Sequence, residues 1–161
     1  HRLDNETSGI LLAARDASTF VRLRAAHERG EIQKRYLALV AGHPTPQRVQ
    51  AYLRADRRKV RVRLEPFPEA KPVALEIVSS EPHAEHALVC VQLQLAARHQ
   101  VRAQLAALGH PIAGDTLYGG VSLPGLTRHF LHASELRLQH PQHGTALALA
   151  AELPQELRAL L

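Results

Sequence analysis

Residues 1–14 read HRLDNETSGILLAA, and this stretch constrains how the chain begins to fold. Asp4 follows a basic His-Arg pair and precedes the Thr-Ser-Gly run at 7–9, which favours a turn. The apolar run at 10–14 predicts a buried strand after that turn. A turn leading into a buried strand can hold an acid at the rim of a sheet, so Asp4 is a candidate functional carboxylate. The alternative is that Asp4 only caps the turn.

The chain has 161 residues, 45% of them hydrophobic, which suits one domain with a real core. We expect residues 1–161 to form that single domain, because no linker or repeat interrupts them. No apolar run approaches the ~20 residues of a membrane span, and no signal-peptide core follows a basic start. The single cysteine, Cys90, cannot form an internal disulfide, so we expect a cytoplasmic protein without membrane contact.

Positive charge is concentrated in one short segment of a chain whose net charge is +5. Between positions 54 and 63 only Asp56 is acidic, and the basic residues are Arg54, Arg57, Arg58, Lys59, Arg61 and Arg63. Such a cluster can neutralise phosphates, so the candidate RNA contacts are Arg57, Arg58, Lys59 and Arg61. The alternative is a solvated basic loop. Aromatic residues are too few near this segment for a base-stacking platform of the RRM or OB type.

Local signals predict three helices. The first runs from an N-cap at Asp16 to Gly30, with Phe20 on its apolar face together with residues 23 and 26. The second carries an apolar stripe at 101, 105 and 108 and ends at Gly109. A short third helix follows Pro154.

Short apolar runs separated by Pro-rich or charged turns predict strands. They lie at 33–42, 49–53, 60–64, 73–80, 87–95, 129–138 and 145–153. Strands in runs with few intervening helices predict an α+β fold, built on a mixed, mainly antiparallel sheet flanked by helices.

Residues 98–119 read RHQVRAQLAALGHPIAGDTLYG. On a helix, Arg98 and Arg102 are four residues apart and share one face, opposite to the apolar stripe. They are therefore placed to reach a neighbouring acid or a phosphate. The alternative is a pair of surface arginines on an amphipathic helix. The Gly-rich part at 109–119 lacks the Lys-Ser/Thr of a phosphate-binding loop, so we expect it to be structural.

Five motifs occur in an order that resembles the RluA-type RNA pseudouridine synthases. They are HRLD-x-x-TSG at 1–9, KRYL at 34–37, HQVR at 99–102, LGHPI-x-GD-x-LYG at 108–119 and RHFLHA at 128–133. Together the motifs span almost the whole chain. The resemblance implies the catalytic-domain fold of that family and an isomerase that converts uridine in RNA to pseudouridine.

The resemblance also implies roles for individual residues. Asp4 matches the aspartate that becomes covalently linked to the substrate, Tyr36 the tyrosine that packs against the flipped base, and Arg102 the arginine that pairs with the aspartate. The expected substrate-binding residues are Arg2, Arg98, His99 and Gln100. Burial penalises an ionised carboxylate, so an adjacent guanidinium is needed to keep Asp4 charged. The reaction needs no metal and no organic cofactor.

Two departures from the family pattern qualify these expectations. The family usually has an arginine where this chain has Ala97, and its catalytic domain has a further strand before the HRLD motif, so we expect a domain truncated on its N-terminal side. A non-catalytic RNA-binding relative that remodels RNA is the alternative function. On frequency alone, ribosomal RNA is a better expectation than transfer RNA, and a monomer is the default.

Metal chemistry has little support in the sequence. His83-Ala84-Glu85 is similar to the His-x-Glu of zinc nucleobase deaminases, but a lone Cys90 cannot supply their Pro-Cys-x-x-Cys motif. Histidines three residues apart recur along the chain, but no cysteine or carboxylate cluster completes a coordination shell. We therefore predict no metal site.

Overall fold

Eight strands form one sheet in the computed structural model, which describes residues 1–161. In chain order the elements are β1 (Ser8–Gly9), α1 (Ala17–Glu28), β2 (Gln33–Ala41), β3 (Gln47–Ala55), β4 (Val60–Arg63), β5 (Lys71–His83), β6 (His86–Leu93), α2 (Gln100–Ala107), a 3₁₀ turn (Thr116–Tyr118), β7 (Leu131–Gln139), β8 (Ala146–Ala150) and α3 (Gln155–Arg158). The strands lie in the order β1, β7, β2, β6, β5, β3, β4, and β8 also pairs with β7. Only the pairing of β1 with β7 is parallel. The predicted α+β fold is confirmed.

One face of the sheet centre is buried by alternating apolar residues. In β6 the residues Ala87, Val89, Val91 and Leu93 are each 4% exposed or less. Their partners in β2 keep the same alternation, since Val91 lies opposite Tyr36 in the antiparallel register. α2 covers this face and adds its own apolar residues to the same core cluster. Full burial of one such side chain stabilises the fold by roughly 1.5–3 kcal/mol, so this layer fixes where α2 sits.

The predicted strands all appear, but two are longer than their apolar runs. β3 and β5 extend beyond the predicted ends because they pair with each other from Gln47 opposite Ile77 to Leu53 opposite Lys71. Backbone hydrogen bonds do not depend on the side chain, so polar residues can continue a paired strand. None of the three helices has the length and apolar content that crossing a membrane would require.

The first helix forms where predicted, although it packs less closely than predicted. The side chain of Asp16 accepts a hydrogen bond from the Thr19 backbone N–H at 2.8 Å, which confirms the N-cap. Leu23 packs against a small core cluster, but no residue of α1 is fully buried. Phe20, which the spacing places on the same face as Leu23, does not reach the core, since its side chain is 54% exposed. Helical spacing alone does not show which turns of a helix reach the core.

The segment after the HRLD motif does not form the long buried strand that its composition predicts. Only Ser8 and Gly9 pair with β7, opposite His132 and Ala133. Beyond them β8 occupies the edge of β7, opposite Glu135 to Gln139, so the chain at 10–14 leaves the sheet. Leu11 is consequently 61% exposed. The prediction of a buried strand at 10–14 was wrong because another strand takes the pairing edge.

The second helix begins later than the shared face of Arg98 and Arg102 requires. Its first residue is Gln100, and His99 precedes it with φ of +54° in the left-handed region. Arg98 therefore lies in the loop before the helix, and the prediction that it shares a helical face with Arg102 was wrong. The helix ends as predicted, with Gly109 at φ of +87° just beyond it.

A gap opens in the sheet beside the N-terminus of α2. The pairing of β5 with β6 begins only at Glu76 opposite Gln92, so the first five residues of β5 pair with β3 alone. The side-chain amide of Gln100 donates to the free carbonyl of Ala74 at 3.0 Å. That amide also bonds Gln104, whose own amide points to the Val49 carbonyl. The two glutamines thus bond one carbonyl of β5 and one of β3 from α2.

Candidate active site

The carboxylate of Asp4 lies at the N-terminus of α2. Its Oδ1 accepts a hydrogen bond from the backbone N–H of His99 at 3.4 Å, and its Oδ2 is 3.6 Å from Nη1 of Arg102. The side chain is only 15% exposed. A helix N-terminus and a guanidinium both favour an anion at this position. The structure therefore brings together the acid and the arginine that the sequence paired.

Arg102 has a second carboxylate partner that the sequence analysis missed. Its Nε and Nη2 donate to the two oxygens of Asp115 at 2.7 and 2.8 Å. Burial would lower the pKa of Arg102, but the hydrogen bonds and charge of Asp115, with the charge of Asp4, raise that pKa above its usual value. The guanidinium is therefore permanently charged and held on one edge. The sequence signal for this partner is the Gly-Asp pair in the loop at 109–119, for which the sequence predicts only a structural role.

Tyr36 borders the same small pocket as Asp4. It is 7% exposed and lies at a bulge, where the pairing of β2 with β7 shifts register between Arg35 and Tyr36. Burial, reinforced by the negative charge of Asp4, raises the pKa of Tyr36 to about 12. The phenol is thus neutral at physiological pH.

The remaining expected substrate-binding residues occupy different positions around this pocket. Arg2 is exposed and lines its mouth. The guanidinium of Arg98 turns away toward the backbone carbonyls of Asp56 and Lys59. Gln100 is buried and its amide is used within the protein, as described above. His99 presents its backbone N–H to Asp4, and burial lowers the pKa of its ring.

The turn that follows Asp4 is held by residues from the segment before and at the start of β7. Arg128 donates to the Glu6 carbonyl at 2.8 Å and to the Ser8 hydroxyl at 2.9 Å. Nε2 of His129 lies 2.8 Å from the Thr7 hydroxyl. Glu6 has φ of +68°, a backbone conformation that costs energy in a non-glycine residue. The RHFLHA motif therefore stabilises a strained turn next to the carboxylate.

Two cavities near Asp4 share part of their lining. The pocket at the carboxylate has a volume of about 50 Å³, and the gap between β5 and β6 opens into a cleft of about 580 Å³. Both are lined by Leu93, Ala96, Ala97 and Gln100. Ala97, at the position where the RluA-type synthases usually have an arginine, thus lines both cavities.

The basic segment forms the hairpin of β3 and β4. Arg57, Arg58 and Lys59 are exposed at its tip, and Arg61 pairs with Asp56 at 3.5 Å. The tip lies near the pocket because Arg98 bonds its backbone. No group of three or more His, Cys, Asp or Glu side chains is placed to hold a metal ion.

Known proteins share both the sequence pattern and the fold. Residues 1–107 match a family described as RNA pseudouridylate synthase. The whole chain is 36% identical to an uncharacterized RNA pseudouridine synthase of Chloroflexus aurantiacus, and it spans 51% of that protein. It is 35% identical to ribosomal large subunit pseudouridine synthase C of Pasteurella multocida, of which it spans 52%. It is 29% identical to ribosomal large subunit pseudouridine synthase D of Escherichia coli, of which it spans 53%.

The fold has a solved counterpart. The structure of human RNA Pseudouridylate Synthase Domain Containing 1 superposes with a TM-score of 0.81 at 24% identity, covering 99% of this chain and 71% of that one. This likeness bears on the fold. The chain spans about half the length of the curated relatives it matches.

Proposed function

The chain belongs to the RNA pseudouridylate synthase family, and we propose that it isomerises specific uridines of structured RNA to pseudouridine with Asp4 as the nucleophile. The carboxylate forms a covalent bond to the uridine and the N1–C1′ bond between uracil and ribose breaks. The base rejoins C1′ through C5, the bond to Asp4 is released, the C5 proton is lost to solvent and N1 gains a proton. The observation that carries this proposal is the Asp4 carboxylate, held by Arg102 and the His99 N–H in a pocket bordered by Tyr36.

The charge state required of Asp4 has support in its contacts. A nucleophilic carboxylate must stay ionised although most of its surface is buried. Arg102 supplies a full positive charge at 3.6 Å, and the N-terminus of α2 supplies a partial one. Because Arg102 cannot lose its proton at physiological pH, this stabilisation persists through the reaction.

The cavities support entry of a flipped base from the cleft. A volume of about 50 Å³ beside Asp4 is far below the ~300–1,000 Å³ of typical ligand pockets. The adjoining cleft of about 580 Å³ falls within that range and shares four lining residues with the pocket. A uridine extruded from its stack would therefore pass through the cleft, with its base against the ring of Tyr36. Tyr36 is the candidate group for the proton transfer that follows at C5.

The charge distribution supports an RNA substrate. Residues 47–63, which form the hairpin of β3 and β4, contain seven Lys or Arg against one Asp, a net charge of +6 in a chain whose net charge is +5. The hairpin of β3 and β4 thus carries all the excess positive charge and is the candidate phosphate contact. The relatives from Pasteurella multocida and Escherichia coli are named for the large ribosomal subunit, which favours ribosomal RNA.

The test is tritium release from RNA labelled with 5-[³H]uridine, measured on the full-length protein. We expect Asp4→Asn to lower the rate by at least about 1,000-fold, since the nucleophile is lost. Asp16→Asn is the matched control, because asparagine caps a helix as well as aspartate does. Its rate should equal that of the wild type.

Three results would contradict the proposal. Unchanged tritium release by Asp4→Asn would remove Asp4 from the reaction. Absence of release by the wild type on total cellular RNA, with RNA still bound, would favour the non-catalytic RNA-binding alternative. Binding that ignores RNA structure and falls steeply with salt would point to the basic hairpin alone.

A further inference from the structure

Tyr118 lies between the arginine of the candidate active site and the basic hairpin, and it contacts both. We infer that Tyr118 is a positioning residue in which the ring and the hydroxyl have separate roles. Its ring orients Arg102, and its hydroxyl holds the basic hairpin of β3 and β4 at a fixed position relative to Asp4. This inference rests on the proposed function. None of the roles considered above involves this side chain.

The ring of Tyr118 stacks under the guanidinium of Arg102. The Cζ atom of Arg102 lies 5.3 Å from the ring centroid, within the range of a cation–π contact. Asp115, the residue just before the same 3₁₀ turn, binds the Nε–Nη2 edge of that guanidinium. One short turn therefore supplies both an edge contact and a face contact, which together limit how Arg102 can rotate toward Asp4.

This turn has little freedom to move. The backbone N–H groups of Tyr118 and Gly120 both donate to the Asp115 carbonyl, at 3.1 and 2.8 Å. A Cβ atom at Gly120 would lie 1.8 Å from the Ile112 carbonyl oxygen, so only glycine fits there. Tyr118 is therefore mounted on a rigid support relative to Arg102.

The hydroxyl of Tyr118 faces the other way, toward the hairpin. It accepts a hydrogen bond from the backbone N–H of Val60 at 2.9 Å, and Nδ1 of His99 lies 2.9 Å from it. Val60 is the first residue of β4 and directly follows the exposed basic tip. Its side chain is 2% exposed and packs with Leu53, Ala103 and the Tyr118 ring. The hydroxyl thus fixes the base of the loop that carries the phosphate contacts.

The same hydroxyl also links the hairpin to the residue that binds Asp4. Burial lowers the pKa of His99, so its ring is neutral at pH 7 and Nδ1 can accept the phenol proton. The backbone N–H of His99 donates to Asp4. A continuous path therefore runs from Val60 through Tyr118 and His99 to the nucleophile. RNA bound at the hairpin tip would keep a defined distance from Asp4 along this path.

Two substitutions separate the role of the Tyr118 ring from that of its hydroxyl. Tyr118→Phe keeps the ring over Arg102 and removes only the hydroxyl, so we expect KM and the RNA dissociation constant to rise about 3–10-fold while kcat stays within about 2-fold of wild type. Tyr118→Leu removes the ring as well, and kcat should fall by a further factor of about 10. Ser18→Ala, which removes a hydroxyl hydrogen bond from an exposed helix end, is the control and should leave all three values unchanged.

Amide hydrogen exchange gives a readout that does not depend on activity. In Tyr118→Phe the Val60 amide loses its acceptor, so its exchange should become at least about 10-fold faster while the amides of β6 stay protected. The inference fails if Tyr118→Phe lowers kcat as much as Tyr118→Leu does, or if Val60 exchange and RNA affinity are both unchanged. If the wild type releases no tritium, the proposed function fails. The RNA affinity and the exchange rate of the Val60 amide still test whether the Tyr118 hydroxyl positions the hairpin.

Discussion

Arg102 and Asp115 form a buried ion pair in which Nε and Nη2 each donate to one carboxylate oxygen, at 2.7 and 2.8 Å. This geometry uses one full edge of the guanidinium and leaves Nη1 as the atom nearest Asp4, at 3.6 Å. Asp4 is thus stabilised by the positive charge of Arg102 without forming a bidentate pair with it. A nucleophile needs this combination, because a carboxylate with both oxygens tightly bound is a poor attacking group.

Asp115→Asn should impair turnover more than binding. Without the second charge, Arg102 is free to turn toward Asp4 and engage both of its oxygens, so we expect kcat to fall about 10–100-fold with KM within about 3-fold. Unfolding should become easier by roughly 2 kcal/mol, because the charge-assisted hydrogen bonds to Asp115 are weakened while Arg102 keeps Asp4 as its carboxylate partner. Single-turnover kinetics and urea unfolding measure the two effects.

Glu135→Gln is the matched control for Asp115→Asn. Glu135 also pairs with an arginine, Arg35 at 3.4 Å, but both side chains are about a quarter to a third exposed. Its loss should cost at most about 1 kcal/mol and leave turnover unchanged. A folded Asp115→Asn protein with normal kcat would show that Asp115 does not orient Arg102.

Tyr36→Phe tests the phenol separately from the ring. Burial raises the pKa of Tyr36 to about 12, so its phenol keeps its proton throughout the working pH range, and it is the candidate group for the proton transfer. We expect kcat to fall about 100-fold or more with RNA affinity unchanged, which is the typical loss for one acid–base group. Full activity of Tyr36→Phe in a tritium-release assay would limit Tyr36 to packing against the base.

Arg128→Gln should disturb the turn that carries Asp4. The substitution removes the donors to the Glu6 carbonyl and the Ser8 hydroxyl and so releases a turn with φ of +68° at Glu6. We expect kcat to fall about 10-fold, because small misplacements of a reacting group are costly. Arg158→Gln, which removes an exposed arginine paired with Glu152, serves as the control. Equal kcat values for Arg128→Gln and Arg158→Gln would show that the turn keeps its conformation without Arg128.

We expect Lys34 to make the free energy of unfolding depend on pH in the alkaline range. It is 2% exposed, with only His27 and the Gln94 carbonyl as partners, and burial lowers its pKa from 10.5 to about 8. Between these two values the unfolded chain binds more protons than the folded one, so stability rises with pH, by about 1 kcal/mol per pH unit.

Lys34→Met is the variant that tests this dependence. It should remove the rise between pH 8 and 10, measured as the urea midpoint across that range. Above pH 10 the raised pKa of Tyr36 acts in the opposite direction, because the folded state then binds more protons. A wild-type midpoint that does not change from pH 8 to 10 would contradict the lowered pKa of Lys34.

The sequence was informative wherever a local rule applies. Asp16 caps α1 and Gly109 follows α2, because capping and left-handed backbone depend on neighbouring residues alone. The pairing of Asp4 with Arg102 was predicted from motifs rather than from geometry, and the structure brings the two together. The roles of Asp4, Tyr36 and Arg102 in catalysis stay predictions, as do those of the basic hairpin residues.

The errors arose where distant parts of the chain compete or converge. Leu11 and Phe20 are apolar at plausible spacing, but both are exposed, and for Leu11 the reason is that β8 takes the pairing edge of β7. Arg98 falls in a loop because the strained backbone at His99 delays the start of α2.

Periodicity and caps in the sequence thus predict the α+β fold class and the order of the elements, because these depend on short-range chemistry. The acid with its arginine came from the motif resemblance, since no local pattern joins residues so far apart in the chain. Tertiary structure alone gives Arg102 its second partner and joins the hairpin to the nucleophile through Tyr118. Those contacts connect residues that are 13 to 95 positions apart. Their distances depend on how the whole sheet packs, which local patterns do not encode.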